Sequence, residues 1–181
     1  MIRRQMLTTI AATAFIPTLL TSPHLFAANP EIGEAEKRHA DMTKMVGSLS
    51  LATSRLALKM ASADMVKLFA KFEVAEQETI ADILKSAEME KAEGALKVQT
   101  DAEVESMLDP AGKEVLATLK RLNGAGFDKA YVAAQLDGHK KLLSVQEDYL
   151  KVGQNREHLI VAKLARGMIN EHIDRLGLLK A

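Results

Sequence analysis

Apolar residues recur at spacings of three and four along four long segments of the chain, the pattern of amphipathic α-helices with one buried face. These segments cover residues 31–61, 65–90, 127–152 and 155–176. The turns within the first pair and within the last pair are short, which favours antiparallel neighbours. The pattern therefore predicts an all-α protein built as an antiparallel four-helix bundle with one short extra helix.

The first two segments each carry an apolar stripe that we expect to be buried. In the first segment the stripe consists of Met42, Met45, Leu49, Ala52 and Leu56. In the second it consists of Phe69, Phe72, Ile80, Ile83 and Ala87, interrupted by Glu73, Glu76, Gln77 and Glu78. The plainest interpretation of these polar residues is a solvated surface near Lys71. The alternative places Glu76 or Gln77 at the margin of the core.

The segment between the two helix pairs predicts the short extra helix. Asp109-Pro110 is a capping acid followed by proline at the first helical position, and Asn123-Gly124 ends the helix. A single helical turn precedes it between residues 100 and 107. We expect the short helix to lie across one end of the bundle, and Ser62 to cap the second long helix.

The last two long helices carry histidines within their apolar stripes. One stripe is Val132, Leu136, His139, Leu143, Gln146 and Leu150, and the other is His158, Ala162, Ala165, Ile169, His172 and Leu176. The two helices pair antiparallel through the turn at Gly153. Measured along the helix axis, His172 then lies about 6 Å from the level of His139, whereas His158 lies about 21 Å from His172. His139 and His172 are therefore expected to share a site that His158 cannot join.

Two interpretations of this histidine pair stay open. Buried histidines are commonly neutral core residues with hydrogen-bonded ring nitrogens. Two imidazoles inside a bundle also hold transition metals when a carboxylate completes the set, here Glu76, Glu73 or Glu147. The chain contains no HExxH, GxSxG or Gly-rich phosphate loop, and it does not contain the two Glu-x-x-His motifs that a di-iron site requires. We therefore expect a protein that is not an enzyme.

Residues 1–28 have the layout of an export signal. Arg3 and Arg4 precede a mostly apolar run, and small residues at Ala27-Ala28 suit cleavage. Arg3-Arg4-Gln5-Met6-Leu7 also fits the twin-arginine pattern. This leaves residues 29–181 as a single helical-bundle domain in the periplasm or outside the cell, with association to the outer membrane as a further option.

Composition limits the partners of the mature chain. The predicted leader contains two arginines and no acidic residue, so the domain that remains after its removal has a slightly negative net charge. Such a domain lacks the positive surface charge that attracts nucleic acid. Cysteine is absent, which excludes disulfides and thiolate metal sites. No second apolar run reaches spanning length, so no transmembrane span is expected in the mature protein.

The segment FDKAYVAAQLDGH, residues 127–139, resembles a signature of secreted bacterial proteins, the domain of unknown function 4142 family of "predicted outer membrane proteins". Phe127, Asp128 and Tyr131 match its Phe-Asp-x-x-Tyr element, and His139 and His172 match its histidines. The resemblance implies a ferritin-like four-helix bundle behind a signal peptide. It also implies a Glu in the first helix and an acid-His pair in the second, which align here with Ala52 and with Glu76-Gln77.

On these grounds the sequence favours an exported envelope protein that binds an envelope ligand or protein, with no cofactor. The competing hypothesis is a metal-binding bundle that uses His139 and His172, with Glu76 and Gln77 as neighbouring candidates. By the family alignment only two of the four expected polar groups remain, which predicts an incomplete metal site.

Overall fold

The computed structural model describes residues 32–89 and 94–179, all helical or loop. The predicted leader, residues 1–28, lies outside the described residues. The helices are α1 (Glu34–Met60), α2 (Asp64–Ala87), α3 (Asp101–Ser106), α4 (Pro110–Leu119), α5 (Gly124–Val152) and α6 (Arg156–Leu179). The predicted helices are thus present, with ends that shift by a few residues. None of the helices in the described ranges is both long and apolar enough to cross a bilayer.

The four long helices pack in a ring in which α1 contacts α2 and α5, and α6 contacts α5 and α2. Hydrogen bonds fix the direction of α1 and α5: Ser54, near the end of α1, bonds Tyr131 near the start of α5, while His39 bonds Gln146 at the opposite end. Neighbouring helices are therefore antiparallel. Because α2 and α5 run in the same direction, the chain between them must cross the length of the bundle.

This crossover places α3 and α4 against the side of α1. Arg55 of α1 binds Asp101 of α3, and Ser48 contacts Met107 just beyond α3. Thr100 caps α3, and Asp109 caps α4 by accepting the Gly112 N–H at 2.6 Å. The expectation that the short helix lies across one end is wrong, because the crossover runs along α1.

The buried face of α1 differs from the predicted stripe. Met42 is 37% exposed, and Met45, Leu49, Ala52 and Leu56 are only partly buried. The residues that α1 buries are mostly small or polar, among them His39, Thr43, Gly47, Ser50 and Ser54. The physical reason is that hydroxyl and imidazole groups on this face hydrogen bond to α2, α5 and α6, while Met42 and Met45 lie on the side of the crossover.

The apolar core is concentrated at the end of the bundle where α5 begins. Phe127 and Tyr131 are fully buried there and stack with ring centroids 6.1 Å apart. They pack with Phe69, Leu119 and Leu176, so that α2, α4 and α6 meet α5 at this end. The Phe-Asp-x-x-Tyr signature therefore supplies the main apolar anchor of α5.

Asp128, between those two aromatic residues, caps α2 from another helix. Its carboxylate accepts the backbone N–H groups of Ser62 and Ala63, at 3.0 and 2.9 Å, and the Ser62 hydroxyl. Ser62 was expected to cap α2 itself, but its hydroxyl donates to Asp128 instead. The carboxylate satisfies donors next to the start of α2, where helix geometry leaves N–H groups without partners.

We expect Asp128→Ala to lower the free energy of unfolding by about 2–3 kcal/mol, because two backbone N–H groups and a hydroxyl lose a charged acceptor. Urea denaturation of the purified protein measures this loss. Asp137→Ala is the matched control, since Asp137 is exposed on the same helix and, among the described residues, its one ion pair is with Lys141. It should change stability by less than about 0.5 kcal/mol. Equal losses in the two variants would contradict the capping role.

Candidate metal centre

Three side chains from three helices meet in the middle of the bundle: Glu73 of α2, His139 of α5 and His172 of α6. Glu73 Oε2 lies 3.0 Å from His172 Nδ1 and 3.2 Å from His139 Nε2. The two ring nitrogens are 3.1 Å apart. Within the described residues this is the one cluster of three or more acidic or histidine side chains with the spacing of a metal site.

All three groups are removed from solvent. Glu73 is 0% exposed, and His139 and His172 are 1% and 7% exposed. Phe69, one turn before Glu73, lies against both imidazoles, with centroids 6.0 and 5.2 Å away. The prediction that His139 and His172 share a site is confirmed, since their rings meet. Their carboxylate partner Glu73 belongs to the group expected to be solvated, and that expectation is wrong.

The hydrogen bond of His139 fixes its tautomer. Nδ1 lies 2.8 Å from the carbonyl oxygen of Gln135, one turn earlier in α5. A carbonyl only accepts, so Nδ1 must carry the proton. In the neutral ring Nε2 then has a free lone pair, and this lone pair faces Glu73 and His172.

His172 is held in a similar way by a second carboxylate. Its Nε2 lies 3.1 Å from Glu76 Oε2, so Nε2 donates outward and Nδ1 faces the centre. Burial disfavours the charged ring, but the hydrogen bonds to Glu73 and Glu76 outweigh burial and raise the pKa of His172 to about 9. At neutral pH without a metal, the Nδ1 proton therefore lies between Glu73 Oε2 and His139 Nε2.

The other oxygen of Glu73 is occupied by neutral donors. Ser50 of α1 lies 2.5 Å from Oε1, and the Gln77 amide donates to the same atom at 2.9 Å. Burial raises the pKa of the Glu73 carboxyl, but contacts with the two imidazoles and with Ser50 outweigh it and hold the pKa well below its usual range. Oε1 is thus fixed, and Oε2 alone is directed at the histidines.

The remaining sequence candidates lie outside this centre. Gln77 is buried and orients Glu73 without contacting an imidazole directly. Its amide packs so closely over Gly47 that a side chain there would collide with it. Glu147 is on the surface, 3.2 Å from Arg166. Ala52, which the family alignment paired with a glutamate, lines a small cavity against α3 and α4, so a side chain there would not face the histidines.

A second buried polar cluster lies nearer the turn between α5 and α6. His39 Nε2 donates to Gln146 Oε1 at 2.7 Å, because the Gln146 amide nitrogen is used on Thr43. His39 Nδ1 therefore accepts from His158 Nδ1 at 3.1 Å. This leaves His158 Nε2 buried with no hydrogen-bond partner among the described residues. Burial lowers the pKa of both His39 and His158, so both rings are neutral.

A family model described as "Domain of unknown function (DUF4142)" matches residues 21–178 of the chain. The match covers most of the chain, so the protein belongs to this family. No curated protein and no solved structure matches the sequence significantly. The family assignment carries no reaction, so any function must be argued from the site itself.

The two histidine clusters predict a maximum of stability near pH 6.5 in metal-free protein. The folded-state pKa of His172 is raised, so its contribution of about 3 kcal/mol is complete below about pH 6.5 and is lost as pH rises toward 9. The folded-state pKa values of His39 and His158 are lowered, so stability falls as pH drops below about 6.5. Urea denaturation between pH 5 and 9, with a chelator present, measures both slopes.

Glu76→Gln is the variant that separates the two slopes. Glu76 is partly exposed and its contact here is to His172, so the amide should fold while weakening the stabilisation of the imidazolium. The loss of stability above pH 6.5 should become shallower, and the loss below pH 6.5 should be unchanged. A flat profile across this range in the unmodified protein would contradict both assignments.

Proposed function

We propose that this member of the DUF4142 family binds one divalent transition-metal ion at Glu73, His139 and His172. The observation that carries the proposal is the convergence of three ligand atoms. Each ligand side chain is held in place by a hydrogen bond to its other polar atom. A backbone carbonyl fixes His139, Glu76 fixes His172, and Ser50 with Gln77 fixes Glu73. Ligating histidines whose outer N–H groups are held by a carbonyl or a carboxylate are the usual arrangement in protein metal sites.

The spacing of the ligand atoms favours a three-sided site with open positions. With metal–ligand bonds of about 2.1 Å, ligands at right angles lie about 3.0 Å apart and ligands at tetrahedral angles about 3.4 Å apart. The separations of 3.0, 3.1 and 3.2 Å lie nearer the first value. Two histidines and one carboxylate on one face of the metal are the ligand set of non-haem iron(II) sites, and manganese and zinc accept the same donors.

The local charge supports a divalent ion. Without metal, the raised pKa of His172 places an imidazolium beside two carboxylates, Glu73 and Glu76. Replacing the Nδ1 proton by a divalent ion leaves both rings neutral and balances both carboxylates. Buried charge is tolerated when it is paired in this manner, so the site suits a +2 ion better than a monovalent one.

The helix arrangement also agrees with a ferritin-like bundle, the finer fold that the family resemblance implied. Four helices alternate in direction around a ring, and one long crossover joins α2 to α5. Bundles with one crossover hold metals on facing helices. The present site differs from a di-iron centre because one carboxylate and two histidines supply ligands to a single ion.

We place this function outside the cytoplasm on the basis of the leader, residues 1–28. Export through the twin-arginine route would carry the domain already folded, with its ion bound. Replacing Arg3 and Arg4 by lysine should then retain the protein in the cytoplasm, as measured by cell fractionation. Continued export of the variant would assign the leader to the general secretory route.

A second candidate function is a binding or structural module of the cell envelope. It is supported by apolar side chains left exposed on α2 and α6: Met65, Leu68, Phe72, Ile83, Ile160, Leu164 and Leu178. Exposed apolar side chains mark interaction sites when they form a continuous patch. Pull-down from envelope extracts tests this candidate, and a background identical to that of unrelated protein would count against it.

Metal-stripped protein should bind one equivalent of iron(II), manganese(II), cobalt(II) or zinc, measured by elemental analysis after gel filtration. His139→Ala and Glu73→Gln should reduce bound metal to background, because each removes one of three ligands. His158→Gln is the control, since His158 is equally buried but contacts none of the three ligands. No metal above background in the unmodified protein would refute the proposal.

Two properties of the bound state test its geometry. Binding should release one proton per ion from His172, so the apparent affinity should rise about tenfold per pH unit below pH 9. Bound cobalt(II) should show the weak visible absorption of five or six ligands. Intense tetrahedral absorption would mean that another side chain closes the site.

A further inference from the structure

A groove of about 680 Å³ runs along the side of the bundle between α1, α4 and α5. Its volume lies within the range of small-molecule binding sites. It passes Gly138, next to the proposed ligand His139, yet none of the three proposed ligands lines it. The groove is therefore a feature separate from the metal centre.

The wall formed by α1 is the apolar stripe that the sequence predicts to be buried. Met42, Met45 and Leu49 line the groove, and Met42 remains 37% exposed. A helix that presents apolar side chains on one face normally covers them with a neighbour. Here α4 covers only part of the stripe, so among the described residues the rest of this apolar wall has no neighbouring element.

The opposite wall is formed by small residues of α5. Ala134 and Gly138 line the groove, and a Cβ atom added at Gly138 would meet no atom within 4 Å. Glycine inside a helix costs about 1 kcal/mol relative to alanine. The empty space beside Gly138 is what this residue provides, and Gly138 lines the groove.

The charges on the groove are uneven. Lys141 pairs with Asp137 at 2.8 Å, and Asp109 is used in capping α4. At the other end, both oxygens of Asp148 are engaged by Lys151 and Ser144. Arg38 also lines this end, and its charge helps to lower the pKa of the Asp148 carboxyl. Within the described ranges the Arg38 guanidinium forms no hydrogen bond or ion pair, so its N–H donors are available to a ligand.

We propose that the groove binds a single-chain amphiphile with an anionic head group, of the fatty-acid class. The head group pairs with Arg38, and the chain lies along the stripe toward Leu49 and the apolar residues of α4. The distance from Arg38 to Leu49 along α1 is about 16 Å, which accommodates a medium-length acyl chain. Arginine matches a carboxylate with two parallel hydrogen bonds.

Dodecanoate is the probe, measured by displacement of a dansylated fatty acid from the purified protein. We expect saturable binding of one molecule per chain, below the concentration at which the probe forms micelles. Dodecanol and dodecyltrimethylammonium serve as neutral and cationic probes of equal chain length. Affinity should decrease in the order anionic, neutral, cationic.

Two variants locate the site without disturbing the fold. Gly138→Leu fills the empty space and improves helix propensity, so it should weaken binding of dodecanoate at least about tenfold while raising the melting temperature. Gly167→Leu is the matched control, because Gly167 is also helical with open space at its Cβ but lies on the exposed face of α6. Arg38→Gln should weaken dodecanoate about tenfold and leave dodecanol unchanged.

Three results would overturn the proposal. Binding that is equal in Gly138→Leu and Gly167→Leu would show that the probe does not occupy the groove. Equal affinity for the anionic and cationic probes would exclude recognition by Arg38. A dimer in sedimentation velocity that Gly138→Leu dissociates would show that a second copy of the chain covers the groove.

Discussion

The buried carboxylate of Glu73 is the constraint on which the rest of the structure depends. An ionised carboxylate without solvent costs several kcal/mol unless other groups compensate it. Here compensation comes from each of the four long helices: Ser50 of α1, Gln77 of α2 itself, His139 of α5 and His172 of α6. The four contacts fix how far the four helices are shifted along one another. Apolar packing alone would define this register less strictly.

The polar interior and the open groove are two consequences of the way α1 is placed. α1 must approach its neighbours closely to bring Ser50 within reach of Glu73, so the face it buries is made of small residues such as Gly47 and Ser54. Met42, Met45 and Leu49 then lie on the other side of α1, toward the crossover. Because α4 is only ten residues long, it covers part of that outer stripe and leaves the groove open.

The helices and the meeting of the two histidines could be predicted from the sequence, because both depend on local periodicity. The family could be predicted because its Phe-Asp-x-x-Tyr signature is contiguous in the chain. The stripes that contain His139 and His172 are regular, so the turn near Gly153 sets their relative level. Glu73 was one of three carboxylates that could complete the pair, and periodicity could not choose among them. An acid on a helix is solvated unless partners on other helices satisfy it, and a single helix shows none of those partners.

A weaker signal for Glu73 did exist in the sequence. The buried residues of α2 follow helical spacing through Val66, Ala70, Glu73, Gln77 and Leu84. This series includes polar positions, whereas a stripe drawn through apolar residues alone led to Phe72 and Ile83, which are 45% and 43% exposed. The family alignment did not point to Glu73 either, because it placed the expected first-helix glutamate at Ala52 and counted only His139 and His172 as retained.

The proton on His172 explains how such a site stays folded without its ion. Many metal sites collapse when empty, because the ligands repel one another or lose their only partner. Here the Nδ1 proton lies where the three ligand atoms converge and supplies the positive charge that Glu73 requires. In the metal site that we propose, the ion takes the place of this proton between the three ligand atoms, so metal and proton compete for one position. Such competition would let the ion exchange in response to pH and metal concentration while the helices stay in place, which suits reversible binding better than a permanent structural role.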